Sequence, residues 1–229
     1  MKPITFVLSA TLLAAAPLAA QEAGGQNAQG YVTGVGGFAT SVGNTTGSIL
    51  AEGGVRVAPH VMVIGSIGRY SDLQSELQPT LDGTTSALAT TNGLTVTGGG
   101  SLPATTFSGG LRAEIPVNDH VLPYVLGTIG VAHLTPQPAF TFSSGTMPDG
   151  STPAVGTDVT AALTTAGSFT TPASSNAFLL TLGGGVQVPV VPHWVVDVGY
   201  RYSRIAADST LSATPLNLNG MTFGFGYRF

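Results

Sequence analysis

Few residues in this chain are equipped for chemistry. Its 229 residues hold 11 Asp and Glu, 7 Lys and Arg and 4 His, with no Cys. The missing Cys removes thiol nucleophiles, disulfides and thiolate metal ligands together. Three of the His (His60, His120 and His193) each close a short Pro-containing turn. The three turns sit on separate strand pairs, so the imidazoles cannot converge on one metal, and turn geometry is the expected reason for them. His133 stands apart, but a hydrolase or acyltransferase would need Ser and an acid beside it. No His-Ser-Asn run occurs, and the Ser174-Ser175-Asn176 run follows Pro172 and Ala173. G-x-S-x-G and P-loop patterns are absent, and the triplets Gly98–Gly100 and Gly183–Gly185 lack the Lys and helix of a phosphate cradle. No catalytic, cofactor-binding or metal-ligating residue is expected.

Composition narrows what carries the remaining charges. Only 8% of residues are charged, about a third of the ordinary density, while 43% are hydrophobic and mean hydropathy is +0.34. With 32 Gly and 15 Pro, neither a disordered acidic chain nor an Ala/Glu/Lys/Leu-rich bundle fits. Lys2 is the sole lysine, leaving six Arg against the eleven acids, so binding nucleic acid through phosphate contacts is excluded.

Met1–Ala20 has one positive residue, an apolar run from Ile4 to Ala16 and small residues before Gln21. That is the layout of a cleaved signal peptide over residues 1–20, with residues 21–229 as one exported domain. The run is shorter than the ~20 residues that cross a bilayer and is followed by Pro17. Further on, residues 83–111 and 159–196 are uncharged but interrupted by Gly, Pro, Ser and Thr, and their apolar residues alternate instead of running on. Backbone groups in hydrocarbon need internal partners, so only helices and closed barrels span it.

Three segments share one hairpin design: Gly53–Tyr70, Gly109–Val125 and Gly184–Tyr202. Each runs from Gly-Gly through Val or Leu and Arg or Gln to a turn ending in His, then into an apolar strand. Apolar and small residues alternate from Phe107 to Ile115, Trp194 to Tyr202 and Met221 to Phe229, the period of a strand. The face opposite the apolar one is mostly Gly, Ser and Thr, which suits a narrow barrel interior. Residues 31–38 and 121–134 leave their parity open. Strands are expected at 30–39, 47–57, 61–71, 105–117, 121–134, 176–189, 193–205 and 218–229. Tight turns then fall at 58–60, 117–120 and 191–193, and four longer segments lie at the opposite end. The expected fold is an all-β, eight-stranded, antiparallel, up-and-down transmembrane barrel with four outer loops and three short periplasmic turns. Residues 139–144 or 161–171 would, as strands, either extend neighbouring strands or add a hairpin that raises the count to ten.

The final GMTFGFGYRF, together with WVVDVGYRYSRI and LPYVLGTIGVAHL, resembles the small outer-membrane barrels of the OmpA, OmpX and opacity type. The resemblance spans residues 30–229. It implies the outer membrane of a Gram-negative bacterium, a monomer among outer-membrane lipid and lipopolysaccharide, and insertion by the barrel-assembly machinery. Phe223, Phe225, Tyr227 and Phe229 are the implied assembly signal. The resemblance implies no particular activity and no cofactor.

Parity turns Glu52, Arg56, Arg112, Glu114 and Asp197 into the lower lumen as a charge network that closes it. The same parity gives Arg69 and Arg201 to an upper level, pairing with Asp72 or Asp208 or lining a small vestibule. Arg204 faces outward, within reach of lipopolysaccharide phosphates. The outer loops carry Asp72, Glu76, Asp82, Asp149, Asp158 and Asp208 without a base. The function expected is non-enzymatic: envelope integrity, or surface interaction and adhesion with an extracellular ligand held by the loops. The rival is a narrow passive pore or a route for hydrophobic solutes.

Overall fold

A computed structural model describes residues 29–41, 44–73, 77–115, 117, 121–206 and 214–229. The expected signal peptide, Glu22, Glu76, Asp119, His120 and Asp208 lie outside the described residues. Eight strands close into a barrel: β1 (Gly30–Ser41), β2 (Asn44–Ala58), β3 (Val61–Tyr70), β5 (Ala104–Glu114), β6 (Leu122–Leu134), β8 (Ser175–Val191), β9 (Trp194–Ala206) and β10 (Leu216–Arg228). Every neighbouring pair is antiparallel, and β1 meets β10 to complete the ring. Hydrogen bonds between Gly30 and Phe229, at 2.8 and 3.0 Å, fasten the seam.

The repeated hairpin has a backbone reason. Register shifts between Arg56 and Ala58 and between Pro189 and Val191 place a bulge before each described turn. His60 and His193 then take φ of 64° and 75°. His enters this left-handed region more readily than β-branched residues do, so the motif ends in His for a conformational reason. His193 also accepts the Arg228 N–H on its carbonyl at 2.7 Å and stacks on Tyr227 at 5.4 Å.

Two stretches of open parity are assigned by burial. Tyr31, Thr33, Val35 and Ala39 face inward on β1, as do Leu122, Tyr124, Leu126, Thr128, Ala132 and Leu134 on β6. The outward face carries Val63, Phe107, Ile129, Phe178, Val196 and Phe225 among many exposed apolar residues. Trp194 stacks on Phe225 at 4.9 Å near the short-turn end. An apolar wall about 25 Å tall with aromatic edges is the exterior of a membrane barrel.

The outer end departs from expectation in two places. First, β1 and β2 pair as far as Ser41 and Asn44, so residues 40–41 and 44–46 are ladder and not loop. Second, residues 77–103 and 135–174 fold. Helix α1 (Leu77–Asn92), strand β4 (Thr95–Ser101), strand β7 (Gln137–Ser144) and helix α2 (Thr160–Thr165) build a cap. The 139–144 region is thus a strand outside the ring, residues 160–165 are helical, and the barrel keeps eight strands. Ser101 pairs with Gln137 in the same register that joins Ala104 to Leu134, so β4 and β7 prolong the β5–β6 hairpin. Pro103 and Pro136 lack the N–H groups that would make the ladder continuous.

Candidate functional site: the filled lumen and its cap

The lumen is filled in layers of different chemistry. At its base Arg228 donates to both Glu114 carboxylate oxygens, at 3.0 and 2.8 Å, and to Gln187 Oε1 at 2.8 Å. Arg56 lies 3.5 Å from Glu114. Above them Arg112, 1% exposed, lies 3.3 Å from Glu114, 3.7 Å from Glu52 and 3.9 Å from Asp197. Its guanidinium is sandwiched by two rings, 3.7 Å from the Tyr124 centroid and 4.7 Å from Tyr31. Tyr31 donates to Glu52 at 2.5 Å and Tyr124 to Asp197 at 2.8 Å. Two cation–π faces with three carboxylates hold this one charge where water is scarce.

Glycine makes the sandwich fit. A Cβ on Gly185 or Gly199 would come within 2.7 or 2.8 Å of the Tyr124 hydroxyl. The Gly183–Gly185 triplet is therefore space for luminal side chains. Gly98–Gly100 works similarly in the cap, where Cβ atoms at Gly98 and Gly100 would meet Leu81 and Leu77 of α1.

Glu52, Arg56, Arg112, Glu114 and Asp197 thus meet in one cluster. Arg201 belongs to it as well: its Nη2 donates to Glu52 at 2.8 Å, so it does not line a separate upper level. Counting residues up from the turns ignores the stagger of the strands, which brings β9 lower against β2. Arg69 contradicts its expected place outright. On β3 the inward residues are Met62, Ile64, Ser66, Gly68 and Tyr70, and Arg69 is exposed on the outer wall. Arg228 was overlooked, although it shares the parity of Thr222, Gly224 and Gly226, which already marked the luminal face.

Above the charges lies a hydroxyl layer, including Ser66–Ser108 at 2.8 Å and Thr181–Ser203 at 2.9 Å. Higher still, apolar residues fill the mouth: Ala39, Ala104, Ala132, Leu134, Leu179, Ile205, Leu216 and Leu218, joined by Leu73 and Leu102. Those last two come from the segment between β3 and β5. Leu73 donates its N–H to Leu102 O at 2.9 Å, and Asp72 accepts the Leu102 N–H at 2.8 Å. The Asp72 N–H donates to Thr46 at 2.9 Å.

The cap has its own core of Leu77, Leu81, Leu88, Leu94, Val96, Phe140, Phe142, Met147, Val159, Leu163 and Phe169. Phe140 packs edge-on against Phe169 at 4.9 Å. Asp149 accepts from Ser151, and Asp158 from the Thr160 N–H at 2.9 Å, so both carboxyls are held below the usual aspartate range. Among the described residues no cluster of three or more His, Asp and Glu is placed to hold a metal ion. His133 contacts Asn176 at 2.9 Å on the outer wall, without an acid. Phe223, Phe225, Tyr227 and Phe229 all face outward.

The family model for the outer membrane protein β-barrel domain matches residues 5–229. The chain belongs to this outer-membrane β-barrel family. Its placement is accordingly the outer membrane, and strands, not helices, make the crossing. Among solved structures, the barrel is similar to Neisserial surface protein A, with a TM-score of 0.51 at 13% identity over 87% of this chain and 96% of that one. A major outer membrane protein from Thermus thermophilus gives 0.48 at 15% identity over 87% and 99%. Ail, the attachment invasion locus protein of Yersinia pestis, gives 0.44 at 16% identity over 91% and 100%. At 13% identity the likeness to Neisserial surface protein A is one of fold. No curated protein sequence matches this β-barrel protein.

Proposed function

We propose that this barrel is a non-enzymatic element of a Gram-negative envelope, closed to solutes and presenting a folded outer surface for contact. The supporting observation is that the lumen is filled twice, by the Glu52–Arg112–Glu114–Asp197–Arg201–Arg228 cluster and by the apolar mouth. A conducting path would have to break both, and buried charge clusters lose several kcal/mol when one partner is withdrawn. The cap adds a defined exterior, rich in Thr and Ser, that suits recognition. The outward aromatic residues of β10 serve insertion by the assembly machinery, and the mature chain works as a monomer.

Planar-bilayer recording of the purified barrel is the test of closure. It should show no stable single-channel steps; large, regular steps would overturn the closed reading. For surface contact, residues 77–100 and 138–173 are replaced by short Gly-Ser turns. The trimmed barrel should still migrate faster unboiled than boiled on SDS gels, while expressing cells lose adhesion. Unchanged adhesion would reject the cap as the contact surface. Release of acyl chains from lipid A by the purified protein would reject the non-enzymatic half.

A further inference from the structure

The chain holds two Asn–Gly pairs, Asn92–Gly93 and Asn219–Gly220, and the fold treats them oppositely. Such a pair is chemically special because Gly has no side chain to keep its main-chain nitrogen away from the preceding amide. Asn219 lies within β10, where Gly220 pairs with Ala39 on one side and Arg201 on the other. The Asn219 side-chain oxygen accepts the Tyr200 hydroxyl at 2.8 Å, and a Cβ on Gly220 would strike Phe38 O and Ala39. That pair cannot turn without breaking the ladder on both sides.

Asn92 is the last residue of α1, and both it and Gly93 are exposed. Its side-chain amide has no hydrogen-bond partner among the described residues. Its carbonyl is among the last four of the helix, which have no intrahelical donor. The N–H of Leu94 reaches back to Leu88 O instead, at 3.3 Å. Gly93 stands at φ 62°, and a Cβ there would meet nothing within 4 Å. Helix ends of this kind open at little free-energy cost, so the Gly93 nitrogen can approach the Asn92 amide carbon.

We propose that Asn92 is a site of spontaneous covalent modification, where ring closure onto Gly93 turns a neutral amide of the cap into a carboxylate. The Gly93 nitrogen bonds to Asn92 Cγ, and the Cγ–Nδ2 bond breaks. Ammonia leaves with the proton that the Gly93 nitrogen gives up. Water then opens the five-membered imide. Attack at the side-chain carbonyl gives aspartate, and attack at the main-chain carbonyl gives isoaspartate. The new charge falls at the negative end of the α1 dipole, where the last turn has no basic residue. Cap residues 77–103 and 135–174 contain Asp82, Asp149 and Asp158 but no Lys, Arg or His to balance it. Isoaspartate also adds a methylene to the main chain two residues before Leu94, which is fully buried in the cap core. Asn92 borders a groove of about 460 Å³ with Thr84, Thr91 and Ser168, and no charged side chain lines it. Modification therefore makes a neutral groove acidic and loosens the corner between α1 and β4.

This chemistry stands whether or not the cap makes surface contacts. The full barrel in detergent is held at mildly alkaline pH beside a synthetic peptide of residues 88–97, and samples are digested and weighed over time. The fragment carrying Asn92 should gain the ~1 Da of an amide turned acid, and the one carrying Asn219 should not. Asn92 in the barrel should react within about tenfold of the free peptide, and Asn219 at least about a hundredfold more slowly than the peptide. N92Q, whose longer side chain closes a less favourable ring, should keep its mass. Aged parent barrel and fresh N92D should both be cut near the end of α1 sooner than fresh parent, with heat-modifiable migration unchanged. Asn92 reacting as slowly as Asn219, or mass gained first at Asn219, would overturn the site. The parent barrel decides this alone if a variant does not fold. Unchanged cutting of the aged barrel and of N92D would overturn the loosened corner.

Discussion

The base of the lumen and the cap solve the same problem, filling space between chain segments, with opposite materials. Below, four guanidiniums and three carboxylates interlock with Tyr31 and Tyr124. Above the mouth, leucines and phenylalanines from two inter-strand segments make a small apolar core. The lower cluster sits on strands already fixed by the ladder, so little further backbone ordering is needed to assemble it. The cap must order its own backbone, and apolar burial offsets that entropy. Rigid scaffolding permits a polar core; a self-made scaffold calls for an apolar one.

Four measurements would break or sharpen this contrast. Arg112→Ala should have the largest effect, about 3–5 kcal/mol lost in urea unfolding from micelles, because Glu52, Glu114 and Asp197 lose the buried cation they share. A loss below about 1 kcal/mol would mean that the remaining arginines regroup freely and that the cluster is less rigid than its strands. Phe140→Ala should cost a similar ~3–5 kcal/mol, but within the cap alone. Limited proteolysis should then cut within residues 77–101 and 137–170 while the barrel band stays heat-modifiable; cooperative loss of both would join the two regions into one unit. Asp72→Ala removes the acceptor for the Leu102 N–H and should cost about 1–2 kcal/mol. Its readout is a raised rate of amide exchange at Leu73 and Leu102, with the lower cluster unmoved.

The smallest effect concerns pH. Asp149 and Asp158 have lowered folded values, so their contribution is complete above the ordinary aspartate value of 3.8 and is lost as pH falls through the folded values. Protease resistance of the cap should be flat from pH 7 to about 4 and decline only below it. A decline beginning near pH 6 would point to groups other than these two.

Much of the barrel was legible in the sequence because strand period and burial speak with one voice. Trp194–Tyr202 and Met221–Phe229 alternate strictly, and the three His-ended turns mark one end. On β3, Gly65 and Gly68 thin out both faces, and Arg69 follows the rule for a strand's wet end, where outward charge is favourable. The cap was hidden for a different reason. Strand β4 reads TVTGGGS, and α1 offers only Leu77, Leu81 and Leu88 as a buried stripe among Thr, Ser and Ala. What holds them is Phe140, Phe142 and Phe169, supplied from the other side of β5 and β6. Residues 44–46, polar and short, read as loop because the ladder with β1 that orders them is non-local.

Arg228 gives barrel closure an electrostatic signature. The residue lies on β10, the strand that must meet β1 for the ring to shut, yet its closest partner is Glu114 on β5, across the lumen. Until β10 is seated, Glu114 keeps Arg112 and Arg56 but lacks its only two-pronged cation among the described residues. Zipping the final seam and completing the hydrogen-bonded Glu114 ion pair are thus one event. An open, half-zipped sheet leaves Glu114 without its two-pronged hydrogen-bonded cation, which a finished ring supplies.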